Sequence, residues 1–306
     1  MADASESILA CPICHGSLAS VADGARCQAC GATFLRSHGF LSFPVEAGGA
    51  FDGGVRLEAY AGRQEATGER FYREFLRPWL GENPGRTLDA GCGVGGSVAL
   101  QAAEGIDAWG VDLPKQAGFW ADLGRDPARL VCGDVTRLPF GSEVFDAVLA
   151  VGVIEHIGTV LGHVTLAPDH LERRSAFARE LVRVTRPGGR ILVACPNKHF
   201  PADLHHGPSD AARPAAGWRE TLSRRTGINL HQIWGDYHLL SFEEVRRLFL
   251  GPGGARVIRP VPARGYFAFG SVPPSVRGLA RAWVERMPAS MRDTFLNPFV
   301  IAEIRV

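Results

Sequence analysis

The stretch Leu88-Asp89-Ala90-Gly91-Cys92-Gly93-Val94-Gly95-Gly96 decides how this chain is read. An apolar start followed by clustered glycines predicts a short buried strand that breaks into a tight turn and opens a helix. Without side chains at Gly91, Gly93 and Gly95 or Gly96, the backbone can approach a bulky ligand. The helix start adds unpaired N–H groups. Gly91, Gly93 and Gly96 also satisfy G-x-G-x-x-G, so a nicotinamide or flavin dinucleotide stays open at this point.

Working outward, the pattern alternates between strands and helices. Strands are predicted over 87–90, 108–111, 130–132, 145–151 and 190–194, and helices over 96–104, 115–123 and 170–184. Strands that are each followed by a helix imply a parallel α/β sheet covered on both faces, with ligands at the carboxyl ends of the strands. Upstream, Phe71, Phe75, Leu76 and Trp79 mark one face of a helix. Downstream, Ser241-Phe242-Glu243-Glu244 is a capping box that opens another. The tail predicts strands over 256–261, 266–270 and 299–306, with a helical insertion over 273–291.

The chain has 306 residues, 46% hydrophobic and 21% charged, with a formal net charge of +1. It is large enough to bury a full core and carry a small extra module. No global basic field calls for nucleic acid or an anionic membrane. No apolar run approaches the ~20 residues of a membrane span. The first six residues lack an apolar signal core, so the expectation is a cytoplasmic protein.

Four of the seven cysteines cluster as C-x2-C-x12-C-x2-C: Cys11, Cys14, Cys27 and Cys30. Two such knuckles can place four thiolates around one Zn²⁺, a closed structural site with no open position for catalysis. Two disulfides or four idle thiols are the rival accounts, and a reducing compartment argues against the first. Cys92, Cys132 and Cys195 read as small core residues. The expected organisation is a zinc-ribbon-like module over 1–45, a Gly-rich linker over 46–54 and the α/β domain over 55–306, with an insertion over about 198–240.

Two acidic residues follow the glycine turn at strand ends. Asp112 closes Trp109-Gly110-Val111-Asp112, where a carboxylate can accept from both hydroxyls of a ribose, or cap the following turn. Asp134 follows Gly133, ahead of Leu138-Pro139-Phe140. It can take the exocyclic amine of adenine while Val135 offers a backbone N–H, or it can satisfy its own loop.

Together these segments resemble a known family. Asp89-Ala90-Gly91-Cys92-Gly93-Val94-Gly95, Gly110-Val111-Asp112, Gly133-Asp134 and Leu138-Pro139-Phe140 occur in that order. They are followed by Phe145-Asp146-Ala147-Val148, Val153-Ile154-Glu155-His156-Ile157 and Arg186-Pro187-Gly188-Gly189-Arg190. The series resembles the class I S-adenosylmethionine-dependent methyltransferases, in the branch similar to ubiquinone- and menaquinone-biosynthesis enzymes (methyltransferase type 11). Dinucleotide dehydrogenases share the first turn but not the later segments.

The resemblance implies a Rossmann-like seven-stranded sheet. It implies a turn in which Asp89, Gly91, Gly93 and Gly95 hold the methionine end of S-adenosyl-L-methionine. Asp112 with Leu113 would take the ribose, Asp134 with Val135 the adenine, and Val151 would line the path to the sulfonium. Tyr60 would contribute to a lid.

The expected reaction is in-line methyl transfer to a small-molecule acceptor, in biosynthesis. A hydroxyl or phenol acceptor would need a base, and His156, His205 and His238 are the candidates, with His206 and Asp236-Tyr237 near them. His231 lies too far from His206 in sequence to suggest a second metal. The cysteine module also resembles ribbons fused ahead of one group of bacterial ribosomal-RNA guanine methyltransferases, which keeps RNA as an alternative partner. Against RNA, residues 11–43 contain only Arg26 and Arg36 as full positive charges, and the fourth ligand is cysteine where that group has histidine. The arginines Arg213, Arg219, Arg224 and Arg225 offer a candidate patch, with a solvated helix face as the plainer account. A third reading is a non-enzymatic zinc-ribbon interaction protein. Oligomeric state is not encoded in any pattern found.

Overall fold

Side chains that alternate between two buried faces build the sheet at the centre of this protein. The computed structural model describes residues 8–45, 57–160, 165–204, 217–226, 229–230, 238–270 and 272–306. The expected linker over 46–54 lies outside the described residues, as do His205, His206, Arg213, His231, Asp236 and Tyr237.

The ribbon supplies β1 (Leu18–Val21), β2 (Gly24–Cys27), β3 (Thr33–Ser37) and β4 (Phe40–Ser42). The glycine-rich half supplies β5 (Thr87–Ala90), β6 (Ala108–Asp112), β7 (Leu130–Cys132), β8 (Phe145–Val151) and β9 (Thr185–Pro196). The tail adds β10 (Val257–Pro260) and β11 (Phe299–Arg305). The sheet order is β1-β2-β3-β4-β7-β6-β5-β8-β9-β11-β10. From β7 to β9 neighbours run parallel, and β11 and β10 are antiparallel additions. The seven strands from β7 to β10 are the Rossmann-like sheet that the sequence implies. The ribbon extends it: Leu41 and Ser42 of β4 pair in parallel with Val131 and Cys132 of β7.

The helices are α1 (Leu57–Phe71), α2 (Gly96–Ala103), α3 (Ala117–Asp122), α4 (His170–Val184), α5 (Gly217–Thr226), α6 (Phe242–Leu250) and α7 (Pro274–Glu285). α1 continues through a π turn over Tyr72–Leu76 into a short helical segment over Arg77–Leu80. On one sheet face Val148, Ala150, Ile191 and Val193 pack with Phe177 and Leu181 of α4 and Val245 and Phe249 of α6. On the other, Ala147, Leu149, Leu192 and Ala194 meet Tyr72, Phe75, Leu76 and Phe299. This period-two sorting is what two covered faces require, and each large buried side chain contributes about 1.5–3 kcal/mol. α6 opens with the expected capping box: Ser241 Oγ accepts from the Glu244 N–H, and the Ser241 N–H donates to Glu244 Oε2 at 2.7 Å. No helix among the described residues is long and apolar enough to cross a membrane.

Two segments differ from expectation. The strand predicted over 266–270 is a run of turns, because Tyr266 and Phe269 bury their rings in the second core as single anchors instead of alternating. β9 begins at Thr185, not at 190. Pro187-Gly188-Gly189 loops out between two stretches of register against β8, Thr185 pairing with Phe145 and Arg190 with Ala147. Gly188 has φ +79°, and a Cβ on Gly189 would sit 2.8 Å from the Arg186 carbonyl and 3.0 Å from that of Asp146. Only glycine admits that reset.

Candidate active site and cysteine cluster

β5, β6 and β7 lie side by side, so their carboxyl ends bring Asp89, Asp112 and Asp134 to one edge. Gly91, Gly93 and Gly95 all hold positive φ, at +88°, +55° and +72°. The turn folds back onto β6, with the Gly91 N–H donating to the Val111 carbonyl at 2.8 Å. A Cβ on Gly91 would collide with Val153. These glycines are therefore needed by the turn itself as well as by any ligand approaching it.

Asp112 ties the turn together. Its Oδ2 accepts from the Gly93 N–H and its Oδ1 from the Leu113 N–H, both at 2.7 Å. A carboxylate has about four acceptor positions, so capacity remains for ligand hydroxyls. Burial lifts this carboxyl to about 6, against the two backbone donors and Lys115, which favour the ionised form. Asp89 is lifted further, to about 7, by burial, opposed by the Ser97 hydroxyl and reinforced by the Asp112 charge. Ser97 belongs to a buried relay: Thr87 Oγ1 donates to Gln101 Oε1 at 2.8 Å, and Gln101 Nε2 donates to Ser97 Oγ at 3.0 Å. That relay fixes α2 against β5.

Asp134 satisfies its own loop in part. Its Oδ1 accepts from the Thr136 N–H at 2.8 Å and the Thr136 hydroxyl at 2.7 Å. The loop beyond it is pinned from two sides. Leu138 N–H donates to Glu180 Oε2 of α4, and Ala10 and Gly141 exchange backbone bonds with Pro139 and Ile8 across to the ribbon. Leu113, Val135 and Val151 are half-buried around this edge.

Other contributors were not visible in the sequence. Gln64 of α1 accepts from the Val94 N–H at 3.0 Å, and Arg125 Nε donates to the Val94 carbonyl at 2.9 Å while its guanidinium pairs with Glu65. The Trp120 indole N–H donates to the Gly93 carbonyl at 2.7 Å. These bonds cross gaps of 27 to 60 positions along the chain, beyond any local pattern. Tyr60 is carried by the backbone of α1, and its side chain lies outside the described part.

At the far side of the edge, His156 is half-buried on a 3-10 turn after β8. His238 is 1% exposed, with its carbonyl accepting from Arg174 Nη2 at 2.7 Å. Glu155, also 1% exposed, points into the same interior. Burial, reinforced by the Glu155 charge, pushes the Tyr266 phenol well above its usual value. The Glu155 charge acts on both the Arg174 guanidinium and the Tyr266 phenol, and His238 is tied to Arg174 through its carbonyl. Glu155 and Tyr266 carry no motif that would have marked them in advance.

The four ribbon thiols lie within 4.8 Å of one another. Cys11 and Cys30 Sγ are 3.8 Å apart, and Cys14 and Cys27 Sγ 3.5 Å. A tetrahedron with Zn–S bonds of ~2.3 Å has S···S edges of about 3.8 Å, so the donor set fits zinc. The Cys30 N–H lies 3.5 Å from Cys27 Sγ and favours its thiolate, while in the metal-free set the Cys11 and Cys14 thiols are pushed up. A thiolate is the form that a metal takes. Cys92, Cys132 and Cys195 are buried core residues, as expected.

Residues 88–193 match the family described as "Methyltransferase domain". Among curated proteins, the chain is similar to demethylmenaquinone methyltransferase of Mycobacterium tuberculosis strain H37Rv, 32% identical over 152 residues. That match covers 49% of this chain and 58% of that enzyme. The enzyme of the same name from Mycolicibacterium vanbaalenii is 35% identical, with 49% of this chain and 60% of that one covered. The chain thus spans a little over half the length of the curated relatives it matches. Among solved structures, geranyl diphosphate C-methyltransferase of Streptomyces coelicolor has a TM-score of 0.40 at 17% identity, covering 85% of this chain and 87% of that one. A chain from the complex of the Haloferax volcanii Trm112 methyltransferase activator with a methyltransferase has a TM-score of 0.46 at 17% identity, covering 82% and 97%.

Proposed function

We propose that this chain, whose residues 88–193 match the methyltransferase domain family, is a class I S-adenosylmethionine-dependent methyltransferase that transfers a methyl group to a small-molecule acceptor. The observation that carries the reading is the Gly91–Gly95 turn, held open by three left-handed glycines and tied by Asp112 through Gly93 and Leu113. Asp89 and the turn take the methionine end of the cofactor, Asp112 with Leu113 the ribose, and Asp134 with Val135 the adenine.

When bound, S-adenosylmethionine supplies a methyl group already activated on a sulfonium. The chain's own residues then have two tasks, to align an acceptor for in-line displacement and to exclude water. Val151 lines the approach from the end of β8. Where the acceptor is a hydroxyl, the proton goes to a base among His156, His238 and His205, and the buried Glu155 joins that group. A biosynthetic role on a small acceptor is supported by the relatives named as demethylmenaquinone methyltransferases. Residues Cys11, Cys14, Cys27 and Cys30 hold a structural zinc, consistent with a reducing, cytoplasmic setting.

Calorimetry with S-adenosylhomocysteine tests the reading directly. Binding at micromolar ligand is expected, and no binding at millimolar ligand refutes it in favour of a non-enzymatic ribbon protein. Incubation with methyl-labelled cofactor and fractionated cell extract tests the acceptor. Label in the small-molecule fraction is expected, and label in total RNA overturns the acceptor class.

A further inference from the structure

The ribbon reaches toward the cofactor turn through the ring of Phe40. Phe40 of β4 is 2% exposed and sits in a cluster otherwise made of residues from the catalytic half: Cys92, Val98, Ala117, Trp120 and Leu130 among them. Its ring meets Trp120 edge-on, with centroids 5.1 Å apart and planes at 67°. Trp120 is fully buried, and its indole N–H donates to the Gly93 carbonyl at 2.7 Å. On the other side of the same residue, the Gly93 N–H donates to Asp112 at 2.7 Å. Phe40, Trp120, Gly93 and the Asp112 carboxylate are thus linked in series.

A buried carbonyl needs its donor, and an indole delivers one only while its ring plane is fixed. α3, which carries Trp120, is only 6 residues long and has no side-chain cap at its start. Phe40 supplies a wall against the indole, and it is itself fixed by the sheet. Its neighbour Leu41 pairs with Val131, and the Phe43 N–H donates to the Cys132 carbonyl at 2.9 Å.

We propose that Phe40 is a positioning residue for the cofactor turn, acting through Trp120 on Gly93 and so on the Asp112 carboxylate. The ribbon then sets cofactor affinity from within the same chain. This rests on the proposed cofactor reading, so the wild-type protein must first bind S-adenosylhomocysteine; its failure to do so refutes that reading rather than this one.

The experiment compares full-length variants by calorimetry with S-adenosylhomocysteine and by thermal melting. Phe40→Ala is expected to raise Kd at least fivefold. Phe34→Ala removes a ring equally buried in the ribbon but packed away from Trp120, against Phe43. It is expected to lower Tm comparably while leaving Kd within twofold. Trp120→Phe, which keeps a ring and removes the N–H, should raise Kd by a similar factor. Adding Phe40→Ala to it should cost less than twofold more, because both act on one carbonyl. If Phe40→Ala does not fold, Phe40→Leu gives the same readout, with a two- to fivefold rise expected. Unchanged Kd in the Phe40 variants, an equal loss in Phe34→Ala, or full additivity with Trp120→Phe overturns the proposal.

Discussion

Lowering the pH from 8 to 6 should weaken S-adenosylhomocysteine binding about tenfold, a factor that follows from Asp89 alone. Burial lifts this carboxyl to about 7, opposed by the Ser97 hydroxyl and reinforced by Asp112. A ligand ammonium seated beside it gains from the ionised carboxylate only, so affinity scales with the ionised fraction. That fraction is about nine-tenths at pH 8 and about one-tenth at pH 6, a difference of roughly 1.4 kcal/mol. Asp112, lifted to about 6, is half-ionised at the lower pH and adds up to about twofold more.

The same shifts fix the sign for the free protein. Both carboxyls hold their protons to a higher pH when folded than at the ordinary value of 3.8. Between about pH 4 and 7 the folded state therefore binds protons that the unfolded chain has released, and stability from this pair falls as pH rises through that window. The free protein gains from acid where the complex loses. Calorimetry at pH 6, 7 and 8, in two buffers of different ionisation enthalpy, reads both Kd and the proton released on binding. The release should be between about one and one and a half protons at pH 6, depending on Asp112, and close to zero at pH 8. Asp89→Asn should bind weakly and keep only the roughly twofold pH dependence that Asp112 contributes. A Kd within twofold across the range, with heats independent of buffer, would refute the placement of the ligand's positive charge beside Asp89.

Three further outcomes follow from the geometry. Gly91→Ala forces a side chain into φ +88° and against Val153, so it should lower stability by at least about 1–2 kcal/mol in urea titration and weaken ligand binding more than tenfold. Purified protein should carry about one zinc per chain by elemental analysis. Stripping it should lower the melting temperature of the whole molecule in one transition, because β4 and β7 share a sheet; a separate ribbon transition would contradict that coupling. Arg174→Met removes donors to the His238 and Ile157 carbonyls and should cost about 2–4 kcal/mol in urea unfolding. Arg174→Lys should recover little of it, since a point charge does not reproduce the guanidinium fork.

Much of this was legible in the sequence wherever the deciding physics is local. The 170–184 helix was readable because Phe177, Ala178, Leu181 and Val184 recur at helical spacing, and these are the residues the helix buries. Ser241 and Glu244 announced a helix start through hydrogen bonds three residues apart. The cysteine spacing announced a four-thiol cluster for the same reason. What escaped was set by contacts distant in sequence. Nothing in 266–270 says that Tyr266 and Phe269 bury as isolated anchors, since aromatic spacing there imitates a strand. Gln64, Arg125 and Trp120 brace the glycine turn from three different elements, and each looks like an ordinary helix residue by itself. Glu155 lay in a segment quoted for its family resemblance, yet only the fold shows that it points inward while His156 stays half-exposed to water.

The ribbon shows how such non-local contacts change the meaning of a local motif. By spacing, four cysteines describe a self-contained metal knot. By pairing, β4 occupies the edge of β7, which would otherwise present an open row of N–H and C=O groups. Parallel sheets tolerate exposed edges poorly, and this edge lies beside the strand ends where Asp112 and Asp134 sit. Covering it places Phe40 in one buried cluster with Cys92, Trp120 and Leu130, beside the Gly93 turn. The cysteine cluster therefore stabilises more than its own small module, because what it holds in place is one wall of the candidate cofactor site.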